Sequence, residues 1–204
     1  MAINSNVSQF LSKINQGVKP NMYQVSVNWP DALGQGKGTT DKDLVDILCK
    51  SAALPASNLG VIEVPFRGRT VKIAGDRTFD TWSATFINDE DMKIRAYFEE
   101  WLADINSHQN NASPLFRPQT TTEGYMANLK VAQLEKNATT NGGSIREYTL
   151  HHAFPTSVSQ IDLAYDSNDQ VSEFSVEFQL SYWTAESKSA AESSPPNVKE
   201  TVSV

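Results

Sequence analysis

The stretch QVSEFSVEFQLSYW, residues 170–183, leaves the chain few ways to fold. Phe174, Val176, Phe178, Leu180 and Tyr182 fall on one side of an extended backbone; Glu173, Ser175, Glu177, Gln179 and Ser181 fall on the other. Strand side chains alternate with a period of two, so the pattern predicts one long strand with a dry face and a wet, mildly acidic face. MYQVSVNW, residues 22–29, repeats the device, with Tyr23, Val25, Val27 and Trp29 opposite Gln24, Ser26 and Asn28. Both stretches read as half-buried strands.

Between them the chain is rich in strand signals. GVIEVPF (60–66) turns through Arg67-Gly68-Arg69 into TVKIAG (70–75), and Gly75-Asp76-Arg77 reads as a further turn into FDTWSATFI (79–87). GYMANLKVAQLEK (124–136) and REYTLHHAF (146–154) flank Asn141-Gly142-Gly143, a hairpin signal because Asn-Gly takes positive φ angles readily. SVSQIDLAY (157–165) turns through DSND (166–169) into the last strand. One helix stands out: Ile94, Tyr97, Phe98, Trp101, Leu102 and Ile105 form an apolar stripe suited to packing on a sheet, with Asn88 or Asp89 as its expected cap and Glu90 and Asp91 in its first turn. DLVDILCKSAALP (43–55) fits helix and strand about equally. Val7, Phe10, Leu11 and Ile14 suit one or two helical turns, ended by Gly17 and Pro20. Residues 107–124 read as a loop, and 185–204 as a disordered tail with almost nothing to bury. The expected organisation is an N-terminal arm (1–21), one domain (22–184) and that tail. The fold class is mainly β, an antiparallel β-sandwich or partial barrel with one flanking amphipathic α-helix.

Composition narrows the functions. At 204 residues a single domain can bury a core without staples. The single cysteine, Cys49, excludes an internal disulfide framework. Twenty-four acidic against 17 basic residues give a net charge of −7, which argues against a tight grip on nucleic acid. No apolar run approaches a membrane span and the N-terminus lacks signal-peptide character, so the sequons at Asn6, Asn111 and Asn137 carry little weight. LGQGKGTT (33–40) resembles a phosphate-binding loop, but the position that needs its first glycine holds Asp31, whose carboxylate would repel an anion. It reads as a surface loop; nucleotide binding abolished by Lys37→Ala would reverse that reading. His151 and His152, adjacent on a strand, are expected to point to opposite faces, and His108 sits in a loop, so no metal or other cofactor is expected. No Ser/His/Asp set or carboxylate pair marks an enzyme.

Three stretches carry more than periodicity: CKSAALPAS (49–57), VKIAGDRTFDTWSATFINDED (71–91) and FPTSVSQIDLAYDSNDQVSEFSVEFQLSYW (154–183), with FEEW (98–101) in the helix. In order and spacing they closely resemble the tail tube proteins of contractile-tailed bacteriophages of the T-even-like group, over roughly residues 20–184. The resemblance implies a structural protein of the virion tail, assembled in the host cytoplasm without a membrane anchor. Six subunits would form a ring whose sheets join into one β-barrel. Rings would stack into a hollow conduit for genome ejection, surrounded by the tail sheath protein and met by baseplate and tail terminator proteins. Genomic DNA would pass the lumen without specific binding.

The resemblance further implies that 43–52 is a strand pairing with 22–29 and that 34–58 helps form the ring-to-ring contact, with Gly34, Lys37, Asp41, Lys42, Lys50, Leu54 and Pro55 as its candidate residues. Glu173, Ser175, Glu177 and Gln179 are the candidates for lining the lumen. Gly75-Asp76-Arg77, with Asp80, makes either a local turn or an intersubunit ion pair. The tube of a headless contractile injection particle, or a baseplate tube initiator of the same fold, would have the same subunit physics. A nucleotide-binding enzyme using residues 33–40 is the alternative from another class. The polar tail and the connector 30–42 depart from the family pattern.

Overall fold

Alternating burial becomes two facing layers in the structure, a computed structural model that describes residues 7–14, 17–30, 33, 39–110, 112–113, 124–135, 143–166 and 170–187. Three helices and nine strands are described: α1 (Val7–Ile14), β1 (Tyr23–Asn28), α2 (Thr39–Leu48), β2 (Cys49–Ala52), β3 (Ser57–Phe66), β4 (Arg69–Phe79), β5 (Trp82–Ile87), α3 (Lys93–Ile105), β6 (Ala127–Leu134), β7 (Ser144–Val158), β8 (Glu173–Gln179) and β9 (Tyr182–Ser187). One hydrogen-bonded path runs β1–β6–β7–β8–β5–β2, with β9 also on β7, and every pairing is antiparallel. Among the described residues, β3 and β4 pair only with each other.

The long strand β7 joins the layers. Its first part pairs with β6 and β9, and its end, Phe154–Val158, pairs with β8. Val25, Val27, Leu129, Val131, Leu150 and Ala153 come from one layer, and Trp82, Ala84, Phe86, Phe174, Val176 and Phe178 from the other. The stripe on α3 lies among them: Ile94, Phe98 and Trp101 are wholly buried, and Tyr97 and Ile105 pack against the core. Phe98 touches the rings of Phe86, Phe174 and Phe178, while Trp29 packs on Phe98 and Trp101. Rings at these separations add attraction beyond the area they bury. The sandwich and the packing role of the aromatic stripe are as the sequence predicts.

Several local expectations are overturned. Residues 43–48 belong to α2, which buries Val45, and only Cys49–Ala52 is strand; that strand pairs with β5, not with β1. Tyr23 of β1 meets β2 instead through its hydroxyl, donated to the Cys49 and Lys50 carbonyls. Gly75-Asp76-Arg77 makes no turn. β4 continues through it to Phe79, and a bulge opposite Gly60 absorbs the irregularity. A Cβ on Gly75 would lie 3.2 Å from the Gly60 backbone, so glycine here allows two strands to approach closely.

The predicted strand 170–183 breaks at Leu180–Ser181, where the chain passes from β8 in one layer to β9 in the other. Tyr182 therefore leaves the dry face and is 41% exposed, whereas Trp183 packs against the core. β9 pairs through Ser187, so 185–187 continue the sheet rather than opening a tail. β7 ends at Val158, and no strand covers Ile161–Tyr165. α3 starts after Met92, which has φ 52°, leaving Glu90 and Asp91 in the preceding turn, while the Asp89 carboxylate, one of the two expected caps, accepts from the Ile94 N–H at 3.5 Å.

β6 and β7 form the predicted hairpin; Gly143 has φ 74°, and Asn141 and Gly142 lie outside the described residues. So do Gly34, Lys37, the sequon residues Asn6, Asn111 and Asn137, most of the 107–124 loop, and 188–204.

Candidate assembly surfaces

The hairpin β3–β4 stands apart from the core, and nearly all of both its strands is exposed. Cross-strand pairing sorts its side chains. Ile62 faces Ile73 and Val64 faces Val71, with Phe66 at the end of the same row; the opposite face carries Val61, Glu63 and Pro65 opposite Ala74, Lys72 and Thr70. One face is therefore mixed, with the Lys72–Glu63 ion pair at 3.4 Å between Val61 and Pro65, while the other is a strip of five large apolar side chains, 41–62% exposed. The tip turns at Arg67 (φ 45°) and Gly68 (φ 81°), as the sequence predicts, and the Arg67 guanidinium lies 5.4 Å from the centre of the Phe66 ring. An isolated two-stranded ribbon is marginal in water, and an uncovered strip of this kind marks a contact surface. Sequence reading found the turn but missed the strip; Ile62, Val64, Phe66, Val71 and Ile73 carried the signal once 60–66 and 70–75 were paired face to face.

The hairpin is fixed to the body at its base. The Trp82 indole N–H donates to the Ala53 carbonyl at 2.6 Å, and that of Trp183 donates to the Ala56 carbonyl at 3.0 Å. Asn58 donates to both carboxylate oxygens of Asp80, at 3.0 and 2.8 Å. The stretch AGDRTFDTW thus supplies a strand bulge, a hydrogen-bonded Asp80 and a tryptophan anchor, all within one chain.

A second surface is the outward face of β8 and its neighbours. Glu173, Ser175, Glu177 and Gln179 do share it, since Phe174, Val176 and Phe178 point inward. The Ser175 hydroxyl lies 3.2 Å from that of Thr85, the Ser175 N–H donates to the Ser159 hydroxyl at 2.9 Å, and Ser157 donates to Glu177 Oε2 at 3.2 Å. Lys50 Nζ pairs with Glu173 Oε1 at 2.5 Å, which brings one residue of the ring-contact set onto the lumen set. Of the other ring-contact candidates, Gly34 and Lys37 lie outside the described residues. Leu54 is 50% exposed, Pro55 is half-buried, and Asp41 and Lys42 lie on α2.

In the layer of β7, β8, β5 and β2, both outer strands lack a further strand partner among the described residues: β2 beyond β5, where only the Tyr23 hydroxyl of β1 reaches its carbonyls, and Phe154–Val158 beyond β8. Pro155 sits on that edge, a position where a strand tolerates a missing N–H.

The phosphate-loop candidate gains one point and keeps its defect. β1 is followed in the chain by α2, contrary to the expected strand at 43–52, but 31–32 and 34–38 lie outside the described residues, and Asp31 still occupies the first glycine position. His151 and His152 do not point apart. Together they oppose Asn128 in a bulge where His152 takes φ 55°, and both rings contact Tyr182, stacked at 4.6 Å and edge-on at 5.8 Å. Among the described residues, no group of three His, Cys, Asp or Glu side chains could hold a metal, and no helix is long and apolar enough to cross a membrane.

Comparison with known proteins agrees with this picture. The tail tube protein gp19 of Enterobacteria phage T4 is 33% identical over 165 residues, 81% of this chain and 90% of that protein. The tail tube protein of Serratia phage KSP90 is 25% identical over 176 residues, 85% and 93% of the two chains. Among solved structures, a chain of the sheath/tube terminator of an extracellular contractile injection system in its extended state superposes with a TM-score of 0.57 at 15% identity, over 83% of this chain and 96% of that one. A chain of the anti-feeding prophage baseplate gives 0.55 at 13% identity, over 82% and 93%. Those two likenesses establish the fold. With the family described as phage tail tube protein matching residues 18–186, the chain belongs to the phage tail tube protein family.

Proposed function

We propose that six copies of this structural, non-enzymatic subunit close into a ring, and that rings stack into the hollow tube of a contractile phage tail. The observation that carries the reading is the β3–β4 hairpin, mounted on the body by Trp82 and Trp183 with its apolar strip open. An uncovered ribbon of this kind makes sense when neighbouring copies cover it. The two free strand edges support the same reading: β2 of one copy pairing with Phe154–Val158 of the next would continue the four-stranded layer around the ring and leave no edge to aggregate. Leu54 and Pro55, beside the hairpin base, then belong to the contact between rings, together with Gly34, Lys37 and the Asp41 and Lys42 of α2.

In this ring the face bearing Glu173, Ser175, Glu177 and Gln179 lines the lumen. Its hydroxyl-rich surface has Lys50 as a cation already held by Glu173, so it would offer little to bind DNA phosphates through counterion release. Genomic DNA would slide rather than stick. The outer surface would meet the sheath, and the tube ends would meet baseplate and terminator proteins. The 33% identity to a phage tail tube protein favours a virion over a headless particle.

Negative-stain electron microscopy of the purified protein, supplied with a baseplate template if it stays monomeric, tests the reading. Stacked rings or hollow cylinders are expected. Val64→Asp with Ile73→Asp should abolish them while circular dichroism of the monomer stays unchanged. Normal cylinders from that variant would remove the hairpin from the interface. Glu173→Lys with Glu177→Lys should slow DNA release from otherwise normal tails; an unchanged release rate would move this face out of the lumen.

A further inference from the structure

The chain carries a second uncovered apolar face. Val7, Phe10, Leu11 and Ile14 recur at helical spacing on α1 and are 71%, 63%, 59% and 46% exposed. Eight residues of helix rise about 12 Å. The strip on the hairpin, from Ile62 to Phe66 on one strand and Val71 to Ile73 on the other, extends over about 13 Å at strand spacing. A helix lying along a two-stranded ribbon covers one face of it, and here the two apolar lengths agree. Among the described residues each face is open.

We infer that α1 of one copy docks along the apolar strip of the β3–β4 hairpin of a second copy. α1 is a tethered arm with a fixed root. Gly17, with φ 63°, ends it by donating its N–H to the Ile14 carbonyl at 2.8 Å. The Gln133 side chain then binds the Lys19 and Met22 carbonyls at 2.7 and 2.5 Å, and the Leu134 N–H binds Met22 again at 2.9 Å, holding the chain where it enters β1. The hairpin leaves the other layer, beyond β2, on its own anchored base. One copy thus offers a ligand and a receptor of matched apolar character from different places on its body. Contacts of that head-to-tail kind propagate around a ring or along a stack. The docking would stabilise the receiving ribbon, which has no second layer among the described residues.

The inference rests on the proposed self-assembly, and the test separates the two. In a Cys49→Ser background, one preparation carries Phe10→Cys and a second, distinguishable by size tag, carries Phe66→Cys; a parallel pair carries Leu11→Cys and Val64→Cys. The two preparations are mixed, assembled, checked by electron microscopy and oxidised. A disulfide-linked heterodimer is expected from at least one pair, with a corresponding loss of both monomer bands, and none from unassembled protein. Tubes that form without heterodimer in either pair would overturn the inference and leave the assembly reading standing. So would a chain carrying Phe10→Cys and Phe66→Cys together that closes only an internal bridge within assembled tubes. If wild-type protein with a baseplate template forms no rings, the assembly reading falls and the docking falls with it.

Discussion

Lys50 Nζ lies 2.5 Å from Glu173 Oε1, an ion pair that reaches across β5 from the edge strand β2 to β8. The side chains remain 53% and 35% exposed, so water screens the attraction and the pair contributes at most about 1 kcal/mol to folding. Its larger effect is on surface charge, since it cancels one of the two carboxylates on the polar face. Lys50→Ala should leave the monomer's urea midpoint almost unchanged. If that face is shared among six copies around a lumen, the variant adds a ring of like charges, and tube formation should require higher salt than wild type. Adding Glu173→Gln should restore the wild-type salt requirement. A large fall in monomer stability would show that the pair holds β2 in place.

Trp183→Phe removes the indole donor from the Ala56 carbonyl while keeping most of the ring's packing against Tyr148. The expected cost is about 0.5–1.5 kcal/mol. It should be local: amide exchange should quicken in 57–79 while β5, β8 and α3 keep their protection. Trp101→Ala provides the contrast. That side chain is wholly buried and donates to the Tyr125 carbonyl at 2.8 Å, so its loss should lower global stability by about 3–5 kcal/mol. Hydrogen exchange by mass spectrometry distinguishes the two patterns. Equal quickening everywhere in Trp183→Phe would deny it an anchoring role.

The core was legible because it follows period. Val25 and Val27, Trp82 to Phe86, and Phe174 to Phe178 alternate as half-buried strands must, and Ile94, Phe98 and Trp101 repeat as a helix face must. The misplaced elements are those where a change of partner, invisible in a local pattern, decides the outcome. Phe174 to Tyr182 keeps its alternation across Leu180–Ser181, yet the chain changes layer there and Tyr182 ends beside two histidines. His151 and His152 meet the same ring because a bulge inserts an extra residue, and no propensity announces it. Gly75-Asp76-Arg77 has turn composition but is paired on both sides of a bulge. The lumen candidates did fall on one face, because a face is what alternation predicts. The ring-contact candidates cannot be read as a face in the same way, since Gly34 and Lys37 lie outside the described residues and the others divide among α2, β2 and the Leu54-Pro55 stretch that follows it.

Cys49 should be a poor nucleophile. Burial pushes its thiol up to about 12, a hydrogen bond from the Ser51 backbone opposing the rise and Asp46 adding to it. At pH 8 the thiolate fraction should be about three orders of magnitude below that of an unperturbed cysteine. Native protein should therefore react with iodoacetamide far more slowly than protein unfolded in urea. Equal rates would mean that the start of β2 opens readily, against its pairing with Phe86 and its place beside the core.

His151 gives the molecule a weak acid sensitivity with a definite sign. Burial lowers its pKa below 6.5, and neighbouring His152 lowers it further; the ring stacks on Tyr182 and shares a 2.9 Å hydrogen bond with Thr184. A base with a depressed folded-state pKa binds fewer protons folded than unfolded, so its stabilising effect is complete above pH 6.5 and is lost as the pH falls through the folded value. Urea midpoints should therefore decline between pH 7 and pH 5 partly on its account. His151→Gln, which keeps a hydrogen-bonding group near Thr184, should flatten that part of the decline. The loss should appear first as exposure of β9, because Tyr182 and Thr184 both lie on it and pair with the strand carrying His151. An identical pH profile in the variant would assign the decline to carboxylates elsewhere.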